Sequence, residues 1–182
     1  MRIISGQYRG RKLLSPSNQD IRPTSDRMRE TMFNILSHAP ISLTGANVLD
    51  VFAGTGALGL EALSRGAAHV TFFDKHRPSL DLVKRNIALL QAEKKTRIKC
   101  VSAPILPRPT AQFNFIFLDP PYNLNVINET IISLKKSGYM AKDCLVIAEY
   151  AAANPIEFPD FLKVSTEKTY GEAHFSFLEV IS

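Results

Sequence analysis

Along this chain, blocks of apolar residues change their period repeatedly, and from residue 46 onward the changes are regular. Short runs rich in β-branched and aromatic residues predict strands over Asn47–Phe52, Val70–Asp74, Arg97–Val101, Phe113–Leu118, Cys144–Glu149, Leu162–Lys168 and His174–Val180. Helical spacing between them predicts helices over Ala57–Ser64, Pro78–Leu90 with proline at its first position, and Ile127–Lys136. This β-α-β-α order is the mark of a parallel sheet with helices on both faces. The last two strands have no helix between them and should pair as an antiparallel hairpin at one edge.

The first 45 residues follow a different pattern. Ile3 to Leu14 reads as two short strands turning near Gly6, a small β-hairpin lying outside the main core, and residues 15–23 read as a loop. Thr24-Ser25-Asp26 offers caps for a helix whose apolar positions Met28, Met32, Ile35 and Leu36 recur at helical spacing until Pro40 closes it. The expected organisation is an N-terminal hairpin extension over 1–23 and one α/β domain over 24–182.

Composition narrows the class. With 182 residues, 45% of them hydrophobic, the chain can bury one sizeable core. Its longest apolar runs have strand length, well short of the roughly 20 residues of a membrane span. No apolar stretch follows Met1, so a cytoplasmic protein is expected. Cys100 and Cys144 sit in strand patterns without C-x-x-C spacing, which predicts core packing for both. His38, His69, His76 and His174 are scattered, and no metal site is expected.

Charge adds a partner. Residues 1–30 carry seven basic and three acidic side chains, so +4 of the net +5 lies there and the remainder is nearly neutral. Basic residues interleaved with Gly6, Tyr8 and Gly10 suit a ribbon laid on phosphates. Arg9, Arg11, Lys12, Arg22, Arg27 and Arg29 are the candidate RNA contacts.

Two motifs carry chemistry. Asp50-Val51-Phe52-Ala53-Gly54-Thr55-Gly56-Ala57-Leu58-Gly59 runs from strand to helix and contains G-x-G-x-x-G, with Asp74 ending the next strand. Glycines let a backbone approach a cofactor closely, and the second acid can accept hydrogen bonds from ribose hydroxyls. Asp50 stands where a carboxylate could hold an ammonium and would repel a pyrophosphate. That favours S-adenosylmethionine (SAM) over a dinucleotide. The candidate cofactor residues are Asp50, Phe52, Ala53, Gly54, Thr55 and Gly56, then Asp74 and Lys75, then Ser102 and Ala103 after the third strand.

The second motif is Asp119-Pro120-Pro121-Tyr122, at the end of the fourth strand. In open α/β sheets this is where ligands bind. An exocyclic base amine is a weak nucleophile; a carboxylate and a rigid proline carbonyl accepting its hydrogens would orient it, and Tyr122 would stack on the extruded base. Three other readings share parts of this pattern. A nicotinamide oxidoreductase would use the glycines and Asp74 but not the tetrapeptide. A non-catalytic RNA-binding assembly factor could keep SAM as a structural ligand, and an adenine-N6 or DNA-directed enzyme would use the same chemistry.

Together the Gly54 loop and Asp119-Pro120-Pro121-Tyr122 resemble class I amino-methyltransferases. Residues 2–13, Arg-Ile-Ile-Ser-Gly-Gln-Tyr-Arg-Gly-Arg-Lys-Leu, and 22–34, Arg-Pro-Thr-Ser-Asp-Arg-Met-Arg-Glu-Thr-Met-Phe-Asn, resemble the RsmD family of bacterial small-subunit rRNA guanine-N2 methyltransferases. The resemblance implies a Rossmann-like, seven-stranded SAM-binding sheet with an RNA-gripping N-terminal β-hairpin, and N2-methylguanine in 16S rRNA as product. It implies that Asp50, Gly54, Gly56, Asp74 and Ser102 hold SAM and that Asp119 to Tyr122 take the guanine. The expected partner is ribosomal RNA within the small subunit or its assembly intermediate, approached by a monomer. Asp74 stands where many members carry Glu, and Ser102 where Asn or Asp is expected.

Overall fold

The computed structural model describes residues 1–16, 26–121 and 126–181. Its centre is a seven-stranded sheet: β1 (Asn47–Asp50), β2 (His69–Asp74), β3 (Thr96–Cys100), β4 (Phe113–Leu118), β5 (Met140–Ala151), β6 (Leu162–Tyr170) and β7 (Ala173–Val180). The spatial order is β3-β2-β1-β4-β5-β7-β6. Strands β1 to β5 pair in parallel, and β7 runs antiparallel between β5 and β6, which gives the expected terminal hairpin. The chain builds outward from β1 through β2 to β3, then returns to lay β4 on the other side of β1. The switch point between β1 and β4 opens a crevice at their carboxyl ends.

The central strands β1, β2, β4 and β5 are largely apolar on both faces because both faces are covered. Helices α1 (Asp26–Leu36), α2 (Ala57–Ser64) and α3 (Arg77–Leu89) belong to one core with Val48, Phe72, Phe115, Phe117, Leu145 and Phe177. Helix α4 (Ile127–Lys136) closes the other, with Leu49, Val51, Ile116, Leu118 and Val146. The alternation Phe115/Phe117 against Ile116/Leu118 is the period-two pleat seen from the two sides. Strand β5 begins four residues before the predicted Cys144, because Met140 pairs with Phe113 ahead of a register shift that brings Leu145 opposite Phe115. Cys144 is buried as expected, but Cys100 is exposed: β3 is an edge strand with no further strand to cover it.

The N-terminal ribbon departs from its sequence reading. It is hairpin-like, with Arg2 bridged to Lys12 and backbone hydrogen bonds from Ile3 N to Arg11 O and from Leu13 N to Met1 O, and its turn spans several residues around Gly6. It does not lie outside the core: Ile3 and Leu13 are buried in the α1–α2–α3 cluster. Glu61 of α2, fully buried, accepts Ile4 N at 2.8 Å and Ser5 N at 3.0 Å while pairing with Arg65 Nε at 2.7 Å. Ser64 Oγ accepts Tyr8 N and donates to Ser5 O, and Ser64 O accepts Gln7 N. The exit of the ribbon is held as firmly: Asn86 of α3 accepts Leu14 N at 2.7 Å and donates to Leu14 O. Buried polar groups need partners, and here the ribbon backbone and two helices satisfy one another.

Gly6 shows how close the contact is. Its φ is +84°, and a Cβ there would come within 1.9 Å of Ser64 O, whereas Gly10, at φ +81°, faces open space. Gly10→Ala should cost only the left-handed backbone penalty of about 1–2 kcal/mol. Gly6→Ala adds a backbone collision and should cost more than about 3 kcal/mol in urea unfolding, with tryptic cleavage at Arg9 and Arg11 accelerated. Equal losses for the two variants would show that the ribbon is not docked on α2.

Candidate active site

The carboxyl ends of β1, β2 and β4 gather the acidic residues that the sequence singled out. Asp50 ends β1, Asp74 ends β2, and Asp119 directly follows β4. The loop from β1 to α2 is fixed by backbone bonds: Val51 N to Phe117 O, Ala53 N to Phe73 O at 2.9 Å, and Gly56 N to Ala53 O at 2.7 Å. Asp74 secures it further, with Oδ2 accepting Gly54 N at 2.9 Å and Oδ1 accepting His76 N at 2.8 Å. A carboxylate has about four lone-pair positions. Asp74 can therefore hold the loop and still accept hydroxyl hydrogens.

The glycines serve separate ends. A Cβ on Gly54 would meet nothing nearer than Phe52 O at 4.0 Å, so this backbone borders open volume in which a ligand could lie. On Gly59 it would sit 2.4 Å from the Phe72 ring, so this glycine lets α2 pack on β2. Ala53 and Thr55 are buried and Phe52 is half-buried. Asn86, beyond gripping Leu14, donates to Thr55 O at 3.1 Å, so one amide ties the glycine-rich loop to the exit of the ribbon.

Asp50 is the electrostatic centre. It is 1% exposed; Oδ2 accepts Gly59 N at 3.1 Å, and buried Oδ1 has no partner. Burial raises its pKa from 3.8 to about 7, opposed by the Gly59 hydrogen bond and reinforced by the charge of Asp74. A buried acceptor left unsatisfied is costly. It fits a cationic ligand group such as the ammonium of SAM.

Asp119 is half-buried, Pro120 buried and Pro121 exposed. In the β1–β4 register Asp50 faces Phe117, so Asp119 stands two residues further along the adjacent strand, about 7 Å at ordinary strand rise. Ser102 and Ala103 follow β3, where Val101 N bonds to Asp74 O; Ser102 is exposed and Ala103 packs against the α4-side core. Lys75 is exposed at the rim. Tyr122 and Arg22 lie outside the described residues, as do the Thr24 and Ser25 caps.

Of the basic candidates, Arg9, Arg11, Lys12 and Arg27 are exposed and open to phosphates. Arg29 is not. It is fully buried, with one guanidinium nitrogen bonded to Asp26 Oδ1 at 2.6 Å and to Arg2 O at 2.7 Å. Desolvation lowers its pKa although Asp26 and Glu61 oppose this. Arg29 is a core brace between α1 and the ribbon, and the helix phase that buries Met28, Met32 and Phe33 carries it inward.

Sequence reasoning passed over Glu61, Asn86 and Glu149. Each had a signal: Glu61 is the one charge in an apolar helix, and Asn86 lies between Val83 and Ile87 on an apolar stripe. Glu149 closes the apolar run of β5; it is buried and follows Ala148, which pairs with Leu118, so it stands beside Asp119. A separate cavity of about 650 Å³ lies between α1 and the β6–β7 hairpin, lined by Asn34, His38, Thr166 and Phe177 among others. It contains none of the candidate site residues.

Residues 1–179 match a family model described as conserved hypothetical protein 95. The chain is 38% identical over 176 residues to ribosomal RNA small subunit methyltransferase D of Escherichia coli K12, covering 96% of this chain and 87% of that one. The enzyme of the same name in Haemophilus influenzae is 35% identical over 175 residues, covering 94% and 89%. The solved structure of Escherichia coli yhhF superposes with a TM-score of 0.88 at 37% identity, covering all of this chain and 98% of the other.

Because the Asp50 pKa is raised on folding, its stability contribution is fully present below about pH 4 and is lost as pH rises toward 7. Asp50→Asn should therefore stabilise the ligand-free protein by about 2–4 kcal/mol at pH 8 and by little at pH 4. Urea unfolding of both proteins across that range checks this; a gain independent of pH would contradict it.

Proposed function

The chain belongs to the RsmD family, and on that premise we propose that it transfers a methyl group from SAM to the exocyclic N2 amine of a guanine in small-subunit ribosomal RNA. One observation carries the reading: the buried, unpartnered oxygen of Asp50 and the Asp119-Pro120-Pro121 segment end adjacent strands at the switch point of the sheet. A cofactor cradle and a base-amine acceptor are thereby brought to one crevice.

The residues fit SAM. Asp50 would take the ammonium, the open backbone at Gly54 the body of the ligand, Asp74 the ribose hydroxyls, and Ser102 with Ala103 the adenine side. When bound, SAM supplies an electrophilic methyl group on a sulfonium. Asp119 and the Pro120 carbonyl accept the two amine hydrogens, which directs the nitrogen lone pair outward and raises its electron density. The consecutive prolines restrict the backbone, so that carbonyl keeps its aim. A stacking role for Tyr122, which lies outside the described residues, is carried over from the sequence motif alone; transfer breaks the sulfonium–methyl bond, and the amine gives up one proton.

Ribosomal RNA is supported by the names of the relatives and by the exposed cations Arg9, Arg11, Lys12 and Arg27. Guanine N2 is supported by the resemblance of the tetrapeptide and N-terminal motifs to the RsmD pattern. The nicotinamide reading is disfavoured by Asp50, whose buried carboxylate would oppose a pyrophosphate.

Asp119→Ala should lower methyl transfer to undermodified small subunits by roughly 10³-fold or more while leaving SAM affinity within about threefold. Digestion of the wild-type product to nucleosides should yield N2-methylguanosine; N6-methyladenosine instead would refute the substrate assignment. SAM affinity should be about tenfold weaker at pH 6 than at pH 8, because Asp50 must ionise to receive the ammonium. Calorimetry on Asp50→Asn should show that dependence flattened, and its persistence would remove Asp50 from the site.

A further inference from the structure

The near-neutral charge of residues 31–182 is an average over two opposed regions. Residues 75–99 hold eight basic side chains and only two acidic ones, Asp81 and Glu93, a local charge of +6. Residues 126–181 hold five basic and eight acidic ones, a charge of −3. The fold puts the first region at the β3 edge of the sheet and the second around β5 to β7.

Three elements share the basic edge. Arg77, Lys84 and Arg85 are exposed on α3, whose inner face is taken by Leu80, Val83 and Ile87. Lys94 and Lys95 are exposed in the short 3-10 helix Glu93–Lys95 that leads into β3. Arg97 is exposed and Lys99 half-buried on β3 itself. Among the described residues none of these cations is in an ion pair; those found involve Arg2, Arg29, Arg65 and His174. Edge-strand lysines deter sheet pairing. That purpose explains Arg97 and Lys99 but not the three cations on the flanking helix.

The patch also has a direction. Lys75 and Arg77 directly follow Asp74, at the rim of the cofactor crevice. On its other side α3 meets the N-terminal ribbon, since Asn86, next to Arg85, makes both hydrogen bonds to Leu14. Leu14 follows the exposed ribbon cations Arg9, Arg11 and Lys12 by a few residues, so the ribbon leads from those cations onto the helix that carries Arg77, Lys84 and Arg85.

We propose that the α3–β3 edge is a second RNA-backbone contact surface, continuous with the ribbon, that carries the strands flanking the target base past the crevice. The proposal rests on the RNA-directed reading above and extends its footprint to residues outside the N-terminal segment. Unpaired cations along a helix about 20 Å long match a polyanion with regularly spaced phosphates. The acidic opposite end of the sheet would be held away from RNA.

The test compares wild type with the triple variant Arg77→Gln/Lys84→Gln/Arg85→Gln and with the double variant Lys94→Gln/Lys95→Gln. Three probes are used: a short RNA duplex of unrelated sequence, undermodified small subunits, and vesicles of anionic phospholipid. SAM affinity and urea unfolding confirm that each variant is folded. The triple variant should bind the duplex at least tenfold more weakly near 0.1 M salt, with the slope of log K against log salt reduced by about two to three. Its KM for small subunits should rise with kcat nearly unchanged, and the double variant should show a smaller loss of the same kind. Unchanged duplex affinity and slope in both variants would overturn the proposal, even if the wild type methylates small subunits normally. Preferential loss of binding to anionic phospholipid vesicles, with RNA binding intact, would overturn it in favour of a membrane surface. If the wild type binds duplex through these residues but methylates no small subunit, the surface stands and the substrate assignment fails.

Discussion

A buried carboxylate joins the N-terminal ribbon to the eight-residue helix that begins at the glycine-rich loop. Glu61 has no solvent to stabilise it, so its charge is met by two ribbon amides and by Arg65. The same helix begins at the glycine-rich loop and is drawn onto β2 by the absence of a side chain at Gly59. Its N-terminal end thus borders the open volume at Gly54, while its buried flank holds the segment whose Arg9 and Arg11 are exposed. Displacing the ribbon would leave that carboxylate to Arg65 alone and uncover Ile3 and Leu13, so the ribbon packs as part of the main core.

Asn86 repeats this logic at the other end of the ribbon. Its amide satisfies both backbone groups of Leu14 and the Thr55 carbonyl in one hydrogen-bonded set. Such a set is sensitive to the loss of any member. Through it, the ribbon at Leu14 and the glycine-rich loop at Thr55 are held by the same side chain.

Asp50 shows the opposite economy. Its desolvation and its unpartnered oxygen destabilise the ligand-free fold, and the strand pairing around it is what keeps it buried. Strain of this kind is expected where a site awaits a charged group. The polarity of the sheet works over a longer range: the basic β3 edge and the acidic region around β5 to β7 would orient the molecule on a polyanion before any base is engaged.

The sequence by itself determined the order of elements, the parallel sheet with its terminal hairpin, and the positions of Asp50, Asp74 and Asp119 at strand ends. These follow from local period and from glycine and proline chemistry, which act over a few residues. It also misjudged what depends on distant partners. Arg29 read as a phosphate contact because charge is local information, whereas its burial against Asp26 and the Arg2 carbonyl is set by how α1 meets the ribbon. Cys100 read as core because strand pattern does not tell an edge from a centre. Glu61, Asn86 and the α3–β3 cations acquired meaning only when residues 57 and 72 positions apart in the chain, or on three successive elements, were brought side by side. Tertiary packing decided these because a buried polar group, or a cluster of unpaired cations, is defined by its neighbours in space, and a linear pattern does not specify them.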